Sequence, residues 1–454
     1  MTRPLDTLLA DLSDLPPAAL LRDAGALARY AADATGNLSQ PPLAVLRPAT
    51  TAELSRMMAA CARAALPIVI QGGLTGLSNG ATPKAGEVAI SLERMTRIEP
   101  VDPVSATLVA GAGATLQRVQ EAAATAGLSF GVDIGARGSA TIGGMAATNA
   151  GGLNVIRNGM MRAHVISLEV VLAGGRVLGH VRPLVKDNSG FDLKQIFIGS
   201  EGVLGVISRL CLSLRPAPGA QQTLFAAAPD MQAAAALLAR LRRSAPGPVT
   251  AFEVMDEAIF ARILAQGHRA PIEPKGIQIL AEVETDAEAA LHALLMGALE
   301  AGELSDVTLA SSGFQAAALW TLREACAEAV GAMKSPVGFD IGLPVAAMPA
   351  FLAETRSALA ALPQAEPAVF GHLGDGNLHY IVDTPDQKTV ADIVFQAVAR
   401  AGGAISAEHG LGREKPRYLP LVRSDDELLV MRGLKALLDP AGLLNSGRVL
   451  PPQS

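Results

Sequence analysis

Aromatic side chains are scarce in this chain. Phe, Tyr and Trp make up 3% of 454 residues, with a single Trp. Base stacking needs such rings, and phosphate binding needs a basic cluster; the net charge is −6 and no Lys/Arg-rich run occurs. Nucleic acid is therefore not an expected partner. Cysteine is scarcer still. Cys61, Cys211 and Cys326 are odd in number and far apart. They offer no disulfide framework and no Cys-rich metal site, and are expected as small buried hydrophobes. Long apolar runs are missing too. Half the residues are hydrophobic, but much of that fraction is alanine, and no run reaches the roughly eighteen residues that a spanning helix needs. The opening Met1-Thr2-Arg3-Pro4-Leu5-Asp6 is followed by Asp11 and Asp14, where a signal peptide would be apolar. A cytoplasmic protein is the expectation.

What is present is length, alanine and glycine. At 454 residues, two or three domains are expected. Residues 1–42 read as an N-terminal helical arm ending at Gln40-Pro41-Pro42. A helix is predicted over Thr50 to Ala65, with Thr51 as its cap and Leu54, Met57, Met58 and Cys61 at helical spacing. Short strands are predicted at Pro67 to Ile70, Glu87 to Leu92, Thr107 to Gly111 and Val165 to Leu172. The texture changes at Pro216-Ala217-Pro218-Gly219, which marks a domain boundary. Residues 43–217 form one predicted domain and 218–404 an α+β domain of alanine-rich helices and often antiparallel strands. Residues 405–454 form a C-terminal segment, with a helix over Asp425 to Leu438 stopped at Asp439-Pro440.

Three glycine-rich segments punctuate the first domain. Gln71-Gly72-Gly73-Leu74-Thr75-Gly76-Leu77-Ser78-Asn79-Gly80 follows a strand directly. Glycines let several backbone N–H groups point into one concavity, a nest for a phosphate or pyrophosphate. The second, around Gly135 to Gly152, is too glycine-rich for a helix interior or an ordinary strand, and bare enough for close approach to a planar ligand. The third is Gly199-Ser200-Glu201-Gly202-Val203-Leu204-Gly205-Val206-Ile207.

Only seven histidines occur, and three fall in two short segments: Gly371-His372-Leu373-Gly374-Asp375-Gly376-Asn377-Leu378-His379 and Glu408-His409-Gly410. Asp-Gly-Asn between two apolar runs predicts a hairpin turn that brings His372 and His379 face to face. Imidazole and carboxylate ligands suit a divalent transition metal, zinc first. Three protein ligands leave a position open, and His409 beside them is free to move protons.

Together these segments make the chain resemble the FAD-linked D-2-hydroxy acid dehydrogenases, the D-lactate and D-2-hydroxyglutarate dehydrogenase group. The resemblance runs from about residue 43 to 450. It implies an α+β fold: a two-part FAD-binding domain of the vanillyl-alcohol-oxidase type, an α+β substrate (cap) domain, and a C-terminal segment returning to the flavin. It places the FAD pyrophosphate on Gly72, Gly73, Leu74, Thr75 and Gly76, near Asn79. The second segment implies contacts from Gly135, Ser139, Gly143, Gly144, Thr148, Asn149 and Gly152, and the third from Gly202, Gly205 and Ile207. Leu444-Asn445-Ser446-Gly447-Arg448 resembles the family's terminal Asn-Pro-Gly-Lys, which makes Asn445 a further contact. No histidine stands between Gln71 and Gly80, so the FAD is expected to be noncovalent.

By the same resemblance, His372, His379 and Glu408 would hold a divalent metal, zinc first, that chelates the substrate. His409 would be the base, and Arg323 would bind the substrate carboxylate. The reaction implied is oxidation of a D-2-hydroxy acid to the 2-oxo acid, with hydride passing to the flavin. Electron transfer flavoprotein or a quinone would take the electrons, and a homodimer is a family-level expectation. Three polar contacts of the D-2-hydroxyglutarate members are replaced here by Gly338, Ile381 and Ala327. A monocarboxylic or more hydrophobic acid is then at least as good a substrate as 2-hydroxyglutarate. The alternatives are a metal-independent alcohol or sugar oxidase of the same superfamily, a non-catalytic FAD-binding protein, and a zinc hydrolase, which would leave the glycine segments without a purpose.

Overall fold

The computed structural model describes residues 4–37 and 39–452. The chain divides into two compact units. The first comprises the residues up to 152, 159–217 and those from 408 on; the second comprises 153–158 and 218–407.

The first unit contains two four-stranded sheets. In one, Val45–Leu46 and Ile68–Gln71 flank Val88–Ser91 in parallel, and Leu20–Leu21 adds an antiparallel edge. Ile68, Val69, Val88, Ala89 and Ile90 are fully buried, as befits parallel strands covered on both faces. The arm therefore contributes a strand as well as the helix Pro4–Asp11. In the other sheet, Thr107–Gly111, Val206–Ser213, Val165–Val171 and Val177–Gly179 pair antiparallel.

The helix Thr51–Arg63 buries Leu54, Met57, Met58 and Cys61. Its cap is Thr50, whose hydroxyl accepts the Glu53 amide, and not Thr51, which gives its hydroxyl to Glu169. Among the described residues, all three cysteines are free and buried. The second glycine segment also departs from expectation, because Ile142–Thr148 is helical through Gly143 and Gly144. The reason is contact. A Cβ on Gly143 would stand 2.5 Å from that of Ala112, so only a glycine lets this helix lie against the neighbouring backbone. Thr141 caps it by accepting the Gly144 amide.

The second unit is built on one seven-stranded antiparallel sheet. In spatial order its strands are Asp306–Leu309, Gln221–Ala228, Ile277–Glu284, Val249–Met255, Glu366–His372, Asn377–Asp383 and Pro336–Gly342. The predicted hairpin is present, but its turn is longer than Asp-Gly-Asn. Leu373–Asp375 makes a 3-10 turn, Gly376 takes φ +86°, and Asn377 already belongs to the second strand. His372 pairs with Asn377 and Phe370 with His379, so the two histidines lie diagonally on one face. The helices Glu257–Ala265 and Gly313–Gly331 pack on that face through Phe225, Leu280, Phe370 and Ile381. The Asp425–Leu438 helix of the first unit has its predicted bounds and starts in a capping box of Ser424 and Glu427.

Candidate active site

Strand Ile68–Gln71 runs straight into the first glycine segment, which folds against the second. A Cβ on Gly73 would fall 1.9 Å from the Ser139 carbonyl oxygen, and one on Gly72 would fall 2.5 Å from Thr141 Oγ1. Only glycine permits this approach. The result is a cleft of about 390 Å³ in the first unit. Gly72, Gly73, Leu74, Thr75, Gly76, Gly135, Gly143, Gly144, Thr148, Gly202, Gly205, Ile207 and Asn445 all line it, as do Glu408 and His409.

Four other expected contacts do structural work around the cleft. Asn79 accepts the Thr35 hydroxyl at 2.8 Å and also pairs with Glu414. Ser139 supplies the carbonyl behind Gly73. Asn149 is the left-handed cap of the glycine helix, and its Oδ1 accepts the Arg162 amide at 2.9 Å. Gly152, at φ +124°, lies against the Asp133 carbonyl. Asn445 ties the wall together: its Oδ1 accepts the Ile70 amide at 2.9 Å and its Nδ2 donates to the Glu201 carbonyl at 2.7 Å.

Glu201 had no role in the sequence reading. Its carboxylate accepts the amides of Leu411 at 2.7 Å and Gly412 at 2.9 Å, just past Glu408-His409-Gly410. From the other side, Ser78 Oγ donates to the carbonyls of His409 and Gly410 at 3.1 and 3.2 Å. Burial pushes the Glu201 carboxyl above its usual range, against the pull of both amides and of Lys415. The segment bearing His409 is thus clasped by two of the glycine segments that line the cleft. The only signal in the sequence was an acid set between Ser200 and Gly202.

In the second unit, His372 and His379 approach each other with ring centroids 5.3 Å apart, and each can turn a nitrogen to within 4.8 Å of the other's. Two carboxylates on neighbouring strands stand behind them. Glu253, opposite His372 in register and fully buried, places Oε1 2.7 Å from His372 Nδ1. Asp340, opposite His379, lies 3.8 Å from His379 Nδ1 and accepts Asn377 Nδ2 at 2.8 Å. Burial raises the Glu253 carboxyl, but the charges of His372 and Arg323 outweigh it and hold Glu253 below its ordinary range. An ionised carboxylate only accepts, so His372 presents a protonated Nδ1 to it; once the ring is neutral, as metal binding would require, its lone pair is on Nε2. Glu253 was missed in the sequence; an acid inside the apolar strand Val249–Met255 was the available signal.

Arg323 is not a surface arginine. It is 9% exposed, donates Nε–H to Glu253 Oε2 at 2.7 Å, and lies over the Phe370 ring at 5.0 Å. Gly338 sits opposite Ile381 in the sheet, and a Cβ there would meet Ile381 Cδ1 at 3.1 Å. Ile381 is buried beside Phe370, whereas Ala327 is exposed on the arginine helix.

Comparison with known proteins agrees with this geometry. Residues 42–179 match the FAD binding domain family, and residues 217–449 match the C-terminal domain of FAD linked oxidases. The chain belongs to the FAD-linked oxidase family. It is 39% identical to a D-2-hydroxyglutarate dehydrogenase of Xanthomonas citri pv. viticola, over 98% of this chain and 97% of that protein. It is 34% identical to one from Stutzerimonas stutzeri over 99% of both chains, and 37% identical to the mitochondrial enzyme of Bos taurus over 90% of this chain and 76% of that one. Among solved structures, p-cresol methylhydroxylase superposes with a TM-score of 0.75 at 15% identity, covering 99% of this chain and 96% of that one. Alkyldihydroxyacetonephosphate synthase superposes with a TM-score of 0.72 at 16% identity, covering 97% and 84%. The fold is thus of the vanillyl-alcohol-oxidase type. The protein is an FAD-linked oxidoreductase. Among the described residues, no helix is long and apolar enough to cross a membrane.

The residues fit the groups the family implies. The cleft is walled largely by glycine backbone and small side chains, as a large flat cofactor requires. The histidine pair, backed by carboxylates, has the donor chemistry of a divalent metal site.

Proposed function

We propose that the dehydrogenase oxidises D-2-hydroxyglutarate, or a close D-2-hydroxy acid, with a divalent metal held by His372, His379 and Glu408. The observation that carries this reading is the carboxylate-backed histidine pair on the hairpin face. The names of the relatives support the substrate. Noncovalent FAD, when bound along the glycine segments, would supply the hydride acceptor, and a metal, zinc first, would supply a Lewis acid for the substrate hydroxyl.

The chain's own residues do the rest. His409 takes the hydroxyl proton. Arg323 pairs with the substrate carboxylate, which suits a planar guanidinium. Electron transfer flavoprotein or a quinone would be the final electron acceptor.

A second reading of the substrate rests on Gly338 and Ile381. The buried Ile381 side chain offers apolar surface two residues from His379, and Gly338 opposite offers no polar group. This favours a monocarboxylic or more hydrophobic D-acid over one with a distal carboxylate.

Anaerobic flavin bleaching with a panel of D- and L-2-hydroxy acids tests both readings. Stereospecific bleaching by a D-acid is expected, lost after chelation and restored by zinc. Bleaching that survives complete metal removal overturns the metal assignment. A clear preference for D-2-hydroxyglutarate over D-lactate and longer aliphatic analogues overturns the second reading.

A further inference from the structure

Glu253 spends its two oxygens on two different tasks. Oε1 meets His372 Nδ1 and Oε2 meets Arg323 Nε, both at 2.7 Å, and the carboxylate is sealed from solvent. The three side chains come from two adjacent strands and the helix packed over them. The Arg323 guanidinium is fixed a second time by the Phe370 ring, which also packs against His379 at 4.9 Å. We infer that Glu253 is a positioning residue that sets the His372 tautomer for the metal and the Arg323 orientation for the substrate carboxylate with one charge. This inference rests on the metal and substrate roles proposed above.

The chemistry of the amide isostere shows why one carboxylate must serve both partners. Glutamine offers one acceptor and one donor. If its NH2 faces His372, Nδ1 must accept, and the ring proton moves to Nε2, the atom that would bind the metal. If its NH2 faces Arg323, two donors oppose each other. Neither orientation serves both neighbours. Each orientation spoils one pairing outright, and loss of the charge weakens the other, so metal affinity and substrate recognition should fall together, although the two groups they depend on lie on different elements.

The test compares Glu253→Gln and Glu253→Asp with the wild-type, FAD-loaded protein. Zinc affinity is read by chelator competition, KM and kcat are read with D-2-hydroxyglutarate, and flavin content serves as the folding control. For Glu253→Gln the expected result is zinc binding weakened about 10- to 100-fold, the range for losing an outer-shell partner. KM is expected to rise about tenfold or more, with flavin content unchanged. Glu253→Asp keeps the charge and should recover part of both losses. Wild-type zinc affinity in Glu253→Gln overturns the inference. Equal loss in both variants, accompanied by lost flavin, marks a merely structural residue and overturns it as well. If the wild type binds no zinc yet is bleached by a D-acid, the metal reading falls on its own. Glu253 is then judged on Arg323 alone, and an unchanged KM in Glu253→Gln overturns the inference.

Discussion

His409 reaches the cleft because the two residues after Gly410 give their amides to Glu201. This separates two kinds of defect. His409→Gln removes the proposed base and should slow flavin reduction about 10²- to 10⁴-fold, with FAD still bound, as stopped-flow reduction would measure. Glu201→Gln keeps one acceptor but turns an NH2 toward a backbone N–H, so the turn loosens while the imidazole survives. A smaller slowing is expected, with His409 chemistry intact. Gly412 is the tightest point of the clasp: it takes φ +51°, and a Cβ there would lie 1.9 Å from the Ser78 carbonyl oxygen. Gly412→Ala should cost about 1–3 kcal/mol of stability, read from thermal unfolding.

At the scale of elements, regular segments were legible where periodicity and caps agreed. The helix Asp425–Leu438 and the strand Thr107–Gly111 have the bounds their sequences imply. The glycine helix Ile142–Thr148 was not legible, because its glycines answer to a neighbouring backbone and not to helix propensity. The hairpin was readable from turn chemistry and its extra turn residues were not, while the partner of Glu253 was invisible. Register between two neighbouring strands far apart in sequence decides that an acid at 253 faces a histidine at 372, and no local pattern encodes that.

The helix Glu257–Ala265 yields a separate prediction. Its cap Asp256 accepts the Ile259 amide at 3.0 Å and Arg356 at 2.9 Å while buried. Burial raises its carboxyl above 3.8 despite these partners. The folded protein then binds more protons than the unfolded chain above that value, so this group's contribution to stability falls as pH rises through its folded pKa. Asp256→Asn keeps the cap and removes the buried charge. It should flatten that part of the pH–stability curve and cost little at neutral pH. Asp256→Ala should lose about 1 kcal/mol for the cap. Melting curves across pH would show both.

At the scale of the whole molecule, the first unit is drawn from three stretches of chain, and the last of them buries Leu444, Asn445 and Arg448. Arg448 is nearly inaccessible. It pairs with Glu87 at 2.8 Å and donates to the carbonyls of Gly80 and Thr82. Arg448→Ala would leave Glu87 as an uncompensated buried charge, at a cost of about 3–5 kcal/mol. Reduced FAD retention should accompany the lower melting temperature, because Gly80 and Asn445 both line the cleft.

That arrangement also sets a timetable for biosynthesis. The ribosome makes Ile70 long before it makes Asn445, and the entire second unit emerges between them. The nascent chain therefore carries a half-walled cleft, with its strand ends unsealed, for most of translation. The second unit is continuous apart from residues 153–158 and can collapse first. Flavin capture should therefore follow synthesis of Asn445, which completes the wall of the cleft.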